Sequence, residues 1–90
     1  MSEPSWKVFV PERVEKELRR LPPKERERIE KAVEKLTKTP FPHGVEKMAG
    51  EPERWRIRVG KYRIVYRLEE AQRTIVIVTV GHRREVYRKG

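Results

Sequence analysis

Ninety residues make one domain with a thin core, because a chain this short buries only about two thirds of its unfolded surface. The lack of cysteine excludes disulfides and thiolate metal sites, two isolated histidines make no zinc site, and no run approaches the ~18 apolar residues of a membrane span. With 36% hydrophobic and 41% charged residues the composition is polar, yet the apolar residues fall in periodic runs, which argues against disorder, and the net charge of +9 suits a polyanionic partner.

In chain order, residues 6–10 (WKVFV) form a short apolar run ended by Pro11, and their length and composition predict a strand. From Glu12 onward Val14, Leu18 and Leu21 recur at helical spacing with charges between them, and Pro22-Pro23 ends this amphipathic face. Pro23 opens a second helix whose stripe is Ile29, Val33 and Leu36, with Ala32 at its edge, and Thr39-Pro40 closes it. So short a linker makes residues 12–38 a helical hairpin with both stripes turned to a common surface. Residues 41–53 hold two prolines and two glycines and are expected to be a connecting loop, anchored by Phe41 and Met48. His43 lies within it, flanked by Pro42 and Gly44, and is assigned no role.

Residues 54–68 (RWRIRVGKYRIVYRL) read as two strands around a Gly60-Lys61 turn of type II′. That turn sets Val59 opposite Tyr62, Ile57 opposite Ile64 and Trp55 opposite Tyr66, so one face is apolar and is the expected seat of the helices. On the other face Arg58 opposes Arg63, Arg56 opposes Val65 and Arg54 opposes Arg67. Like charges directly across a ladder cost roughly 0.2–1 kcal/mol each. Mixed Glu/Lys pairs would solvate such a face without that repulsion. Residues 69–73 turn the chain, and the β-branched run 74–80 (TIVIVTV) predicts a strand buried on both faces, pairing Arg63 near Val80. Gly81 is expected to release the chain there, bringing Arg58, Arg63 and Arg83 into one neighbourhood.

The charge distribution points to the same place. Residues 1–53 carry twelve Lys/Arg against eleven Glu, whereas residues 54–90 carry eleven against three, and nine of those eleven are arginine, which clamps phosphate through a planar fork.

The predicted order β-α-α-β-β-β, with the segment WRIRVGKYRIVY at residues 55–66 and VGHRREVY at residues 80–87, resembles the RelE/ParE superfamily of toxins, and most closely its RelE branch. The resemblance implies an α+β fold with a helical hairpin on one face of a small, mainly antiparallel sheet. It implies a type II toxin that enters the ribosomal A site and cuts messenger RNA without a metal or other cofactor. Its implied partners are a RelB-like antitoxin and the ribosome with bound message, with no membrane. The toxin alone is expected to be monomeric, joining a hetero-oligomer with its antitoxin, and to act in the cytoplasm.

Carried onto this sequence, the family's pattern assigns Arg63, Arg83 and Tyr87 to catalysis, with His82 as a second candidate for proton transfer. Arg54, Arg56, Arg58, Lys61, Arg67 and Arg84 are expected to bind RNA. The best-known branch has lysines where this chain has Arg56 and Arg58; arginine effectively never loses its proton, so neither is a general base. The alternative on the same fold is a ParE-like toxin that binds and poisons DNA gyrase and cuts nothing. A double-stranded-RNA module would instead run helix, three strands, helix, and RRM-type stacking needs aromatics on the basic face. Here Trp55, Tyr62 and Tyr66 fall on the apolar one.

Overall fold

A computed structural model describes residues 6–50 and 53–82. The elements are β1 (Lys7–Phe9), α1 (Glu12–Arg19), α2 (Pro23–Leu36), β2 (Glu46–Met48), β3 (Arg54–Val59), β4 (Tyr62–Glu69) and β5 (Thr74–His82), with a 3-10 turn at Glu70–Gln72. They build a mixed five-stranded open sheet of order β1-β5-β4-β3-β2, with β1 parallel to β5 and the other pairs antiparallel. The two helices pack on one face, giving the α+β fold expected from the sequence. Among the described residues no helix is long and apolar enough to cross a membrane.

Proline punctuates the helices. Pro11 and Pro22 stand in extended conformation ahead of α1 and α2, and Pro23 fills the first turn of α2, where a missing N–H costs nothing. The helices bury Val14, Ile29 and Leu36 against Ile57, Ile64, Tyr66, Ile75, Ile77 and Val80, and full burial of such a side chain contributes about 1.5–3 kcal/mol. Leu18, Leu21 and Val33, expected in the same stripe, are only half-buried at its margin. Leu18 and Val33 line a groove between the helices.

The β3–β4 hairpin has the predicted register from Trp55–Tyr66 to Val59–Tyr62; the expected Arg54–Arg67 pair lies beyond the end of that ladder. Gly60 has φ +60 while Lys61 stays at negative φ, as a type II′ turn requires. The strand β5 departs from expectation in three ways. It continues past Val80, so that Arg63 pairs with Gly81 and Tyr62 with His82; Gly81 extends the strand instead of releasing the chain. It is buried on one face only, with Val76 and Val78 half-exposed on the side the helices leave open. Its register also shifts between Val65 and Tyr66, leaving Val78 as a bulge that reverses which residues face the helices.

The bulge lies where β1 no longer covers the edge of β5, and α1 satisfies it. The Arg13 guanidinium donates to the Val78 carbonyl at 2.6 Å, and the Glu17 carboxylate accepts from Val80 N–H at 3.0 Å and from the Thr79 hydroxyl. The second correction is β2, inside the segment read as loop. Residues 46–48 pair with residues 54–56, although three polar-leaning residues carry almost no strand signal of their own.

Candidate nucleic-acid interface

Hairpin register and the β5 bulge together decide which side chains share the helix-free face. Arg58 opposes Arg63, and Arg63 opposes Gly81, across three adjacent strands. Because glycine carries no side chain, β5 adds no bulk beside the Arg63 guanidinium. Arg58 is exposed as expected, but Arg63 is only 4% exposed. A cation so deep is costly unless hydrogen-bonded. It donates to the Tyr62 carbonyl at a long 3.5 Å, and among the described residues no buried side-chain polar atom lacks a partner.

Arg56, Arg58 and Arg63 line one cleft of about 460 Å³. It opens where β2 ends: β2 covers residues 54–56 of β3 and leaves the edge of Ile57, Arg58 and Val59 unpaired among the described residues. Lys35 of α2 and the Pro42, His43 and Glu46 side chains close its other walls. Glu46 holds Arg56 through two contacts, 2.7 Å from Nη2 and 3.0 Å from Nε, which fixes the guanidinium beside the cleft. Among the described residues, four cations thus face this space against the single carboxylate of Glu46. Lys35, His43 and Glu46 escape a reading of the hairpin because they come from a helix end, a loop and the three-residue strand β2. The only trace in the sequence is the V-E-K-M run at residues 45–48, which ends at the single turn glycine of Ala49-Gly50 and invites a short hairpin with β3.

The remaining predicted residues fall elsewhere or outside the described chain. Lys61 is exposed on the turn and Arg54 at the start of β3. Arg67 is on the open face, paired with Val76, and its guanidinium is engaged by Glu69. His82 pairs with Tyr62, so it leaves the sheet on the helix side, edge-on to that ring at 6.0 Å and away from Arg63. Arg83, Arg84 and Tyr87 lie outside the described residues. On the helix side Tyr66 is fully buried; its hydroxyl donates to the Pro40 carbonyl at 2.5 Å and burial pushes the phenol up to about 12.

Comparison with known proteins places this geometry. The family described as the ParE toxin of the type II toxin-antitoxin system parDE matches residues 8–87. The RelE1 protein of Methanocaldococcus jannaschii is 29% identical over 86 residues, covering 92% of this chain and 96% of that one. Among solved structures, the archaeal RelE of a RelE-RelB complex from Pyrococcus horikoshii aligns with TM-score 0.78 and 26% identity over 88% of this chain and 96% of that one. The isolated E. coli RelE toxin aligns with TM-score 0.76 and 27% identity over 94% of each chain.

Proposed function

The chain belongs to the ParE toxin family, as a toxin of the RelE branch of the RelE/ParE superfamily, and on that premise we propose that it cuts messenger RNA in the ribosomal A site. The observation that carries the proposal is the cleft lined by Arg56, Arg58 and Arg63, with Arg63 nearly buried. A cation held out of water stabilises developing negative charge far better than an exposed one.

The ribose 2′-oxygen attacks the adjacent phosphorus, the bond to the 5′-oxygen breaks, and the products are a 2′,3′-cyclic phosphate and a 5′-hydroxyl. A base takes the 2′ proton and an acid returns one to the leaving oxygen, so the reaction balances without a metal. Arg63 and Arg83 stabilise the phosphorane. Arg56, held by Glu46, and Arg58 hold the flanking message. Arg54, Lys61, Arg67 and Arg84 add charge for RNA of message and ribosome. Proton transfer falls to Tyr87, to which the family pattern assigns catalysis, with His82 second because its ring stands edge-on to Tyr62 on the helix side, away from Arg63. The partner in the cell is a RelB-like antitoxin, a reading supported by the RelE-RelB complex that this fold matches.

Translating ribosomes incubated with the purified chain, followed by mapping of message ends, test the proposal. Cuts within the A-site codon are expected, with Arg83→Ala and Tyr87→Phe each slowing single-turnover cleavage about a hundredfold or more. Intact message together with inhibited DNA gyrase supercoiling would overturn it in favour of the gyrase-poisoning alternative.

A further inference from the structure

The cleft at the unpaired edge of β3 has two unlike walls. Arg56, Arg58 and Arg63 supply positive charge from the helix-free side of β3 and β4; Pro42 and Val59, with Lys35 at the end of α2, line the other wall. Its volume of about 460 Å³ falls in the roughly 300–1,000 Å³ range of small-ligand sites. A bare phosphate would leave the apolar wall unused, and an apolar group would strand the cations. A nucleotide uses both. Exposed His43, on the loop between α2 and β2, is the only aromatic among the described residues that line the cleft.

We propose that this cleft holds one nucleotide of the RNA, its phosphate on the arginines and its base stacked on His43 against Pro42. The inference rests on the RNA-cutting reading for its biological setting and adds a base-contacting residue to it. Bases splayed from a single strand are held by stacking on planar side chains, histidine among them, and the stack tolerates any base. Glu46 assists by fixing Arg56, which keeps the phosphate end of the cleft in register with the base end. The site thus selects an unstacked nucleotide over a paired one.

The test is an NMR titration of the full chain with cytidine 3′-monophosphate and guanosine 3′-monophosphate, with inorganic phosphate as the control. Nucleotides are expected to shift the His43 ring and the Val59 methyls, and phosphate to shift only arginine side-chain signals. His43→Ala should weaken nucleotide binding about tenfold, the size of one lost base stack, while His43→Phe should stay within about twofold of the parent. Because His43 is an exposed loop residue, both variants should keep the parent's circular dichroism. Identical shifts from phosphate and nucleotide, or parental affinity in His43→Ala, would overturn the site. Message cleavage on ribosomes separates this inference from its premise: cutting by a chain that holds no nucleotide at His43 overturns the base site alone. A chain that holds the nucleotide there and cuts nothing keeps the site and overturns the cutting.

Discussion

Replacing Arg63 with methionine separates a residue kept for stability from one kept for chemistry. Methionine retains the apolar stem of arginine and deletes the charged guanidinium. The loss column holds the hydrogen bond to the Tyr62 carbonyl, long at 3.5 Å, together with the other contacts that the nearly buried guanidinium keeps, and a good charge-assisted bond contributes ~1.5–3 kcal/mol. The gain column holds relief of the direct Arg58–Arg63 pairing, roughly 0.2–1 kcal/mol, and removal of the desolvation penalty on a guanidinium that is 4% exposed. With losses and gains of similar size, Arg63→Met should change stability by less than about 3 kcal/mol. Single-turnover cleavage on saturated ribosomes should fall about a hundredfold or more. Urea denaturation of the same preparation gives the first number and mapped message ends the second. A destabilisation above ~3 kcal/mol, the cost of breaking a buried charge network, would make Arg63 a structural strut. Unchanged stability with an unchanged cleavage rate would remove it from the site.

Three other outcomes follow from packing and burial. Tyr66 keeps its proton up to about pH 12 when folded, against ~10 unfolded, so its contribution is intact below pH 10 and is lost as pH rises toward 12, by about 1.4 kcal/mol per unit. Urea midpoints at pH 8 and pH 11.5 should fall more steeply for the parent than for Tyr66→Phe, and parallel losses would contradict this account. Leu36→Ala should cost about 2–5 kcal/mol and Leu18→Ala about 1, because Leu36 is buried in the core and Leu18 only lines the groove between the helices; equal urea midpoints would mean that the stripe is packed differently. Glu17→Ala should cost about 1–2 kcal/mol and speed hydrogen exchange at the Val80 amide, which donates to that carboxylate, whereas unchanged protection would show the bulge standing without it.

The hairpin was legible because its register rests on local chemistry. One glycine sets the turn, and strict alternation then assigns every side chain to a face, so Arg58 and Arg63 were paired correctly from the sequence alone. A strand as short and polar as β2 has no such signature and exists through its pairing with β3. The near-burial of Arg63 was equally hidden, since alternation names a face and says nothing about what covers it.

The bulge at Val78 shows most clearly why alternation fails over longer reach. In the run TIVIVTVGH unbroken alternation would put Ile75, Ile77, Thr79 and Gly81 on the helix side and turn His82 to the face of Arg63. No glycine or proline marks a break at Val78, and its cause lies more than sixty positions away, in Arg13 and Glu17 of α1, which bind the Val78 carbonyl and the Val80 amide. That contact puts Val80 into the core and sends His82 edge-on to Tyr62. It leaves Gly81 as the neighbour of Arg63, so the side chain closest to the candidate reacting phosphate on β5 is a hydrogen atom instead of an imidazole. A hydrophobic requirement, that Val80 rather than Thr79 complete the core, thus also clears the space beside the buried cation.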